Sequence, residues 1–505
     1  MEQISGENNK SFGKFMKKIL LVNPAFNIVK SKYDTSLSVG LLCIASYLYK
    51  KGVPVKIIDC ARQLGWEEIL DKELPQSAYV GLSVMTTQIP SALRIAESVR
   101  KFDPRIKLIW GGAHITFFPK ETLESDLVDF AISHEGEETL WELLQELENA
   151  KIPDFSKIKG LSYKEGDRTF NNLKRELLAM REISLPNWNL VPSEILERLE
   201  LVPTHTSRGC PHRCAFCINA ITQNRWRMRE TEKVLEDIAI IQAKPFFKRK
   251  NLRFWDENFF VDLKRVNEIA EGMIKRNLIV PWETTIRADY FSRPEMTDEF
   301  MAKLRKSGCY LLSFGAESGS QRILKKIDKD ITREQILNSA RQCLKHDIIP
   351  QYSFMVGLPG EKREDINQTI NLIDDLLKLD PRVQILGPQA FRPYPGSTLY
   401  QECLESGWKA PQSLGEWSSA ILNEMSYLTP YQFPWVKDPD LAASLEAYAR
   451  FGAHGFKSAL GSTATSNKFL KFVFILMCKL RWKLRFFKWP IEYKLAKKYI
   501  TTLSA

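Results

Sequence analysis

Short apolar runs alternate with amphipathic stretches along the first 150 residues. The pattern predicts buried strands at 18–24, 53–59, 78–86, 106–112 and 128–137, with helices between them, the first at 38–52. Alternating strands and helices are typical of a parallel, doubly wound α/β sheet, which binds ligands at the carboxyl ends of its strands. Five hydroxylic or small residues fall at those ends: Ser83, Thr86, Thr87, Gly111 and Gly112. We therefore predict a flavodoxin-like α/β domain over 1–150 with a ligand site at this edge.

A second series of strands and helices begins near residue 201. A polar segment of weak periodicity precedes it at 151–200, and we predict that this segment links or bridges two domains. Strands are predicted at 201–207, 251–257, 280–289, 309–318, 349–357 and 382–391. Because a helix follows each strand, the series predicts a partial (β/α)6 barrel over 201–400, whose chemistry lies in the loops after the strands. A mainly helical region at 401–467 and a tail at 468–505 complete the predicted order.

The composition indicates an intracellular protein. Nine cysteines in 505 residues are too sparse for the disulfide framework of a small secreted domain. The leading segment MEQISGENNKSFGKF lacks the apolar core of a signal peptide, and no apolar run reaches the ~18 residues that a membrane span requires. We expect a cytoplasmic protein in which clustered thiols serve as metal ligands.

The positive charge is concentrated at the end of the chain. Residues 468–505 carry ten lysine and arginine residues against one glutamate, a net +9 of the total +11. The near-neutral remainder argues against a nucleic-acid partner. The segment KFLKFVFILMCKLRWKLRFFKW (468–489) is either an amphipathic helix docked on the protein or a helix on the membrane surface, where basic and aromatic residues are common. We predict peripheral attachment at the inner membrane face, and hence a hydrophobic, lipid or isoprenoid-like substrate.

Three cysteines lie close together after the first strand of the second series. The stretch RGCPHRCAFC (208–217) contains Cys210, Cys214 and Cys217 without a fourth cysteine. A structural zinc site would need His205 or His212 as its fourth ligand, because such sites are tetrahedral and closed. A [4Fe–4S] cluster on three thiolates instead leaves one iron open for a substrate. The spacing therefore favours a [4Fe–4S] cluster.

The stretch CPHRCAFC resembles the CxxxCxφC motif of radical S-adenosylmethionine (SAM) enzymes. The resemblance implies that the open iron chelates the amino and carboxylate groups of SAM. Reductive cleavage of SAM would then give a 5′-deoxyadenosyl radical that abstracts a hydrogen atom. It also implies an electron donor of the flavodoxin or ferredoxin type.

The resemblance continues along the predicted barrel. Asp256 and Glu257, in FWDENFF, match the acidic segment that binds the SAM ammonium group. Glu317 and Ser318, in FGAESGS, match the segment that faces the ribose or the amino group. A separate residue, Arg287 on the third strand, is placed to pair either with the SAM carboxylate or with Asp289.

The front domain resembles the cobalamin-binding class of radical SAM enzymes, which includes class B methyltransferases and an anaerobic magnesium-protoporphyrin cyclase. The segments that carry the resemblance are LLVNPAF, SVGLLCIASYL, GLSVMT, WGGAH and HEGEETL. It implies that cobalamin contacts the five strand-end residues named above; a front domain without a ligand is the alternative. The loop NPAFNIVKSKYD (23–34) lacks the histidine of the D-x-H-x-x-G motif, and His114 and His134 lie in later loops. We expect base-off cobalamin without a histidine ligand.

The resemblance implies a C-methyltransferase. One SAM would methylate cobalamin, a second would supply the radical, and an unactivated substrate carbon would take the methyl group. Two alternatives stay open. One is an oxidative or ring-forming enzyme of the same architecture, and the other is a non-catalytic cobalamin or SAM sensor, against which the intact cysteine triad argues. No catalytic side chain is assigned.

Overall fold

The computed structural model describes residues 16–26, 37–219, 225–423, 430–453 and 468–495. Within them the chain forms two compact units. The first unit contains the first strand, Ser38–Leu178 and Glu182–Leu196; the second contains Ala179–Arg181 and the chain from Glu197 onward.

One sheet forms the centre of the first unit. Its strands are β1 Lys18–Asn23, β2 Val55–Asp59, β3 Ser77–Ser83, β4 Lys107–Gly111, β5 Phe130–Ile132, β6 Leu161–Glu165 and β7 Arg168–Asn171. They lie in the order β2-β1-β3-β4-β5-β6-β7, and β1 to β5 are parallel. The order of the parallel strands is that of flavodoxin-like doubly wound folds. This sheet confirms the predicted architecture of the front domain.

The helices of the first unit pack on this sheet through apolar stripes. They are α1 Val39–Lys50, α2 Trp66–Glu73, α3 Ile89–Phe102, α4 Ala113–Phe117, α5 Pro119–Leu123 and α6 Glu137–Asn149. In α1, Leu41, Leu42, Ala45 and Leu48 are buried, a spacing of three and four residues that makes one face of a helix. Burying each leucine stabilises the fold by roughly 1.5–3 kcal/mol.

The segment predicted as a linker belongs to the first unit. Its strands β6 and β7 form an antiparallel hairpin, and β6 pairs with β5. The hairpin turns at Gly166, which has a φ of +56°. The strands are short, and β7 is largely exposed, so their hydrophobic periodicity is weak. The sheet therefore extends past residue 150, the boundary predicted for the front domain.

The second unit contains a six-stranded parallel sheet. Its strands are β8 Leu201–Thr204, β11 Asn251–Phe254, β12 Trp282–Ile286, β13 Cys309–Glu317, β14 Ile349–Val356 and β15 Gln384–Ala390. They lie in chain order, β15-β14-β13-β12-β11-β8. A short antiparallel pair, β9 Ser207–Arg208 and β10 Arg227–Met228, lies between the first two in sequence. These strands confirm the predicted partial (β/α)6 barrel.

Helices separate the barrel strands and continue after them. They are α7 Ser193–Arg198, α8 Thr231–Gln242, α9 Leu263–Lys275, α10 Asp298–Lys306, α11 Gln321–Lys326, α12 Arg333–Lys345, α13 Arg363–Leu379, α14 Thr398–Glu405, α15 Leu414–Asn423, α16 Pro439–Tyr448 and α17 Lys468–Leu484. Helix α7 spans the point where the chain passes from the first unit to the second. The C-terminal region is helical, as predicted. None of the described helices is long and apolar enough to cross a membrane.

Candidate active site

The three clustered cysteines line one cavity of the barrel. Cys210 is buried, whereas Cys214 and Cys217 are half-buried. All three line a cavity of about 340 Å³ after the first barrel strand. Two backbone hydrogen bonds hold the loop: Cys217 N donates to Cys214 O at 3.0 Å, and Ala215 N donates to Ile327 O at 2.9 Å. The thiols thus face a common space large enough for a ligand.

The arrangement of the thiols fits an iron–sulfur cluster. Three cysteine thiols line the cavity, and thiolates are the ligands that hold iron–sulfur clusters. Burial raises the pKa of the Cys210 thiol, and raises that of Cys217 to about 11. Cluster binding therefore releases protons from these thiols.

The two histidines considered as zinc ligands have other surroundings. His212 lines the cavity, and its Nε2 lies 2.9 Å from the hydroxyl of Tyr290. Burial lowers the pKa of His212 to about 4 and that of His205 to about 3, so both are neutral near pH 7. His205 does not line the cavity. The three cysteine sulfurs are therefore the candidate metal ligands at the cavity, which the neutral imidazole of His212 also lines.

Two cysteine sulfurs accept hydrogen bonds from neighbouring strands. Asn258 Nδ2 lies 3.9 Å from Cys210 Sγ and donates to the Tyr290 hydroxyl at 2.8 Å. Arg287 Nη1 lies 3.7 Å from Cys214 Sγ. Hydrogen bonds to the sulfurs are one of the factors that set the potential of a cluster. Neither Asn258 nor Tyr290 was predicted from the sequence: Asn258 directly follows the two acids of FWDENFF, and Tyr290 belongs to no motif.

The cavity also holds charges of both signs. Glu257, Glu317, Arg287 and Lys329 line it. Glu257 accepts a hydrogen bond from Gly209 N at 3.1 Å, and burial raises the pKa of its carboxyl. Because SAM carries an ammonium and a carboxylate, a cavity with acidic and basic side chains beside three thiols suits its amino-acid end.

Lys329 and Glu317 form a buried ion pair, with Lys329 Nζ 3.0 Å from Glu317 Oε1. Burial alone would lower the pKa of Lys329, but the charges of Glu317 and Cys214 outweigh it, and the net pKa is raised. The sequence analysis missed Lys329. It lies twelve positions after Glu317, in a loop without a recognisable pattern, so no sequence signal could have found it.

The backbone at Glu317 is unusual. Its φ is +63°, a left-handed conformation that is rare for a residue other than glycine. The nearby Gly315 leaves room for the ion pair, since a Cβ there would lie 2.7 Å from Lys329 Nζ. Strained backbone of this kind persists where the surroundings enforce it, which is common at functional sites.

Two other residues predicted to bind SAM, Asp256 and Ser318, lie outside the cavity lining. Asp256 is buried outside the cavity lining and accepts hydrogen bonds from Thr206 N at 2.7 Å and Ser207 Oγ at 2.6 Å. Ser318 is also buried outside the lining, 3.1 Å from Thr369 Oγ1.

Arg287 lines the cavity while its Nε pairs with Asp289 Oδ1 at 2.9 Å, and its pairing with the SAM carboxylate stays a prediction. The structure thus brings Glu257, Arg287 and Glu317 together with the three cysteines, and it uses Asp256 to hold the loop before them.

In the first unit, the five predicted cobalamin-contacting residues lie at the carboxyl edge of the sheet. Ser83 ends β3 and Gly111 ends β4, while Thr86 and Thr87 begin the turn after β3. Gly112 has a φ of +105°, and a Cβ there would lie 2.7 Å from both Val84 N and Val84 O. Residue 112 must therefore be glycine because a side chain there would collide with the backbone of Val84. The edge carries three half-buried hydroxyl-bearing side chains, whose chemistry suits a ligand with many polar groups.

The imidazole nearest this edge is buried. Thr86 Oγ1 lies 3.2 Å from His114 Nδ1, and burial lowers the pKa of His114 to about 3. Residues 27–36, in which most of the loop without a histidine falls, lie outside the described residues.

Comparison with known families gives two matches in the same order along the chain. Residues 26–144 match the B12 binding domain, and residues 204–373 match the Radical SAM superfamily. The second match contains the three cysteines and every residue named above at the cavity.

Curated relatives share this domain order. An uncharacterized methyltransferase of Pyrococcus horikoshii is 30% identical over 400 residues, which cover 77% of this chain and 83% of the relative. The bacteriochlorophyllide d C-12(1)-methyltransferase of Chlorobaculum tepidum is 27% identical over 77% of this chain and 79% of its own. An anaerobic magnesium-protoporphyrin IX monomethyl ester cyclase of Rubrivivax gelatinosus is 25% identical over 64% of this chain and 58% of its own.

Solved structures show the same fold. The cobalamin-dependent S-adenosylmethionine radical enzyme OxsB, with aqua-cobalamin and S-adenosylmethionine bound, superposes with a TM-score of 0.71 at 18% identity, covering 92% of this chain and 72% of that one. The radical S-adenosylmethionine methyltransferase TsrM from Kitasatospora setae has a TM-score of 0.63 at 18% identity over 78% of each chain. The chain belongs to the cobalamin-dependent radical SAM enzymes, whose cofactors are a [4Fe–4S] cluster, SAM and cobalamin.

Proposed function

We propose that this enzyme is a C-methyltransferase acting on an unactivated carbon of a hydrophobic substrate. The observation that carries the proposal is the cavity in which three thiols lie beside two acidic and two basic side chains. The relatives whose names state methyl transfer support it further. When bound, the cluster and SAM supply a carbon radical and cobalamin supplies the methyl group.

We assign the charged residues of the cavity to the amino-acid end of SAM. Glu257 and Glu317 accept from the ammonium group, while Arg287 and Lys329 donate to the carboxylate. Each such contact is charge-assisted and stronger than a neutral hydrogen bond. Because Arg287, Glu317 and Lys329 are buried, water competes weakly for their contacts.

Polar side chains deeper in the barrel complete the binding surface. Ser313 Oγ donates to Gln351 Oε1 at 2.9 Å, and Gln351 Nε2 donates to Gln384 Oε1 at 2.7 Å. Ser313, Gln351 and the neighbouring Ser353 line the cavity. We assign this row to the hydroxyl groups of the SAM ribose, for which side chains that both donate and accept are suited.

We further propose that cobalamin binds base-off, without an imidazole ligand. His114 is buried beside Thr86 and is neutral, so moving it to a metal would break its packing. The test is electron paramagnetic resonance of the cob(II)alamin form of the holoenzyme. We expect no nitrogen superhyperfine splitting; splitting from an imidazole nitrogen would contradict the assignment.

The hydrophobic substrate and the cytoplasmic, membrane-surface location are proposals that rest on the C-terminal tail. Its composition of basic and aromatic residues is typical of interfacial helices. An electron donor of the flavodoxin or ferredoxin type is proposed because the cluster requires an external reductant.

Product mass tests the proposed reaction. The holoenzyme is reconstituted anaerobically with iron, sulfide and cobalamin, then incubated with SAM, reductant and a lipid extract. Methyl transfer predicts a product heavier by one CH₂ and the formation of 5′-deoxyadenosine. The variant Cys210→Ala/Cys214→Ala/Cys217→Ala is the negative control, and Cys343→Ala, a buried cysteine elsewhere in the barrel, is the matched control.

A second candidate is an oxidative or ring-forming reaction, which the relationship to magnesium-protoporphyrin cyclases favours. In the same assay it predicts a product that has lost hydrogen or gained oxygen. Absence of 5′-deoxyadenosine from a fully loaded protein would contradict both reactions and support a sensor.

A further inference from the structure

The tail helix α17 has two faces of different character. One face is buried against the second unit through Ile475, Cys478, Arg481 and Trp482. Trp482 Nε1 donates to Asp374 Oδ1 of α13 at 2.8 Å. Docking of this face agrees with the first of the two interpretations of the tail, a helix packed on the protein.

The opposite face of α17 is apolar and exposed. Val473, Leu476, Met477, Leu480 and Leu484 recur at helical spacing, and their exposed fractions run from 37% to 69%. Docking therefore leaves the second apolar face of the helix facing water.

The exposed face continues past the end of the helix. Phe486, Trp489, Ile491 and Leu495 are also exposed, with Trp489 70% accessible. We call these nine apolar residues, Val473 to Leu495, the tail face. Exposed apolar residues grouped on one segment of a folded unit are typical of an interaction site.

The tail face has lysines beside it and acidic residues on the neighbouring helices. Lys483 and Lys488 are exposed, whereas Arg485 pairs with Asp374 of α13, and Lys494 pairs with Asp440 of α16 at 2.8 Å. The only acidic residue between 468 and 495 is Glu492, which pairs with Arg481 and accepts from the Tyr448 hydroxyl at 2.9 Å. The surface next to the apolar residues therefore offers positive charge without a competing exposed carboxylate on the same segment.

We propose that the tail face binds the second unit to an anionic phospholipid surface. Apolar side chains flanked by lysines, with aromatic residues at one end, match the chemistry of the interface between lipid headgroups and acyl chains. Because the buried face is fixed to the barrel, the tail is an integral membrane-contacting surface of the enzyme body. The inference deepens the proposed function, since it places the enzyme where a hydrophobic substrate would be presented.

Vesicle co-sedimentation of the full chain tests the inference. The face variant is Leu476→Gln/Leu480→Gln/Leu484→Gln, and the matched control is Leu64→Gln/Ile152→Gln/Leu173→Gln, three exposed apolar residues of the first unit. With vesicles of phosphatidylglycerol and phosphatidylcholine, we expect the wild type and the control to bind equally. The face variant should partition on the order of a hundredfold less, from the exposed leucine area it removes.

A charge variant separates the apolar and electrostatic contributions. Lys483→Gln/Lys488→Gln should bind the anionic vesicles about thirtyfold less, because each lysine near an anionic leaflet contributes about fivefold. Its binding to pure phosphatidylcholine vesicles should match that of the wild type. Circular dichroism and thermal melting of each variant verify that it is folded.

Several outcomes would overturn the inference. Equal vesicle binding by the wild type and the face variant is one, and absence of vesicle binding by the wild type is another. If the wild type does not bind vesicles, light scattering identifies what covers the tail face. A wild-type dimer that becomes a monomer in the face variant would mean that a second copy covers the tail face. A wild-type monomer would mean that another part of the same chain covers it.

Failure of the membrane-binding proposal can be told apart from failure of the proposed methyl transfer. The face variant should still cleave SAM to 5′-deoxyadenosine in detergent-free solution at the wild-type rate. If the wild type binds vesicles but never methylates a substrate, the proposed reaction is refuted and the proposed membrane-binding surface is still supported.

Discussion

The two predicted ligand edges of this molecule lie at equivalent places, the carboxyl ends of parallel strands, yet they are built differently. The barrel cavity concentrates thiols and buried charges, with Lys329 and Glu317 paired at 3.0 Å. The edge of the first unit offers glycine and hydroxyl groups and a neutral, buried His114. We propose that the cavity holds the amino-acid end of SAM by a few strong contacts and that the edge holds the corrinoid by many weak ones. The difference predicts that single substitutions act strongly at the cavity and weakly at the edge.

The largest effect is expected from the cysteines. Replacing Cys210, Cys214 and Cys217 with alanine removes every thiolate at the cavity, so bound iron and 5′-deoxyadenosine formation should both be lost. Iron analysis and product chromatography measure this, with Cys403→Ala as the buried control outside the cavity. Full iron content in the triple variant would show that the cluster lies elsewhere.

The next effect concerns SAM affinity. Glu317→Gln removes one charge-assisted contact worth roughly 1.5–3 kcal/mol, so SAM should bind about ten- to a hundredfold more weakly. Equilibrium binding to the cluster-loaded protein is the measurement, and Glu271→Gln, on the outer helix α9, is the control. Unchanged affinity would mean that the Glu317–Lys329 pair serves only the fold.

At the edge of the first unit, the substitution with the largest expected effect is Gly112→Ala, which lowers the stability of the fold. Gly112→Ala places a Cβ against the Val84 backbone at a φ of +105°, which should cost about 1–3 kcal/mol of the free energy of unfolding. Thermal melting should show the loss. Gly166→Ala is the comparison variant, because a Cβ on Gly166 meets nothing within 4 Å and only its φ is strained. Equal melting temperatures for the two variants would contradict the steric account.

The smallest effect is expected from the hydroxyl groups. Each neutral hydrogen bond contributes about 0.5–1.5 kcal/mol, so Ser83→Ala or Thr87→Ala should weaken cobalamin binding by roughly two- to tenfold. Absorbance titration measures it. A loss of a hundredfold or more from either substitution would remove the contrast between the two sites.

Much of the fold could be predicted because the signals for it are local. Each strand of the barrel lies within the range that the apolar runs predicted, and CPHRCAFC identifies its ligands without reference to any distant residue. Hairpin β6–β7 was missed because its strands are short and β7 is largely exposed, so the alternation is weak. Asp256 was predicted to bind SAM from its place in an acidic segment; the structure turns it toward Thr206 and Ser207, and its direct contact with SAM stays a prediction.

The sequence by itself determined the order of the two domains, the spacing of the three clustered cysteines and the charge of the tail, since spacing and composition are properties of the chain. Only the tertiary structure decided which side chains meet. Lys329 reaches Glu317 through a turn after α11, and Asn258 reaches Cys210 from another strand's loop. The tail was the clearest case. Its composition allowed a docked helix or an interfacial one, and packing against α13 assigned one face to the protein and left the other exposed, because burial depends on the direction of each side chain and not on its type.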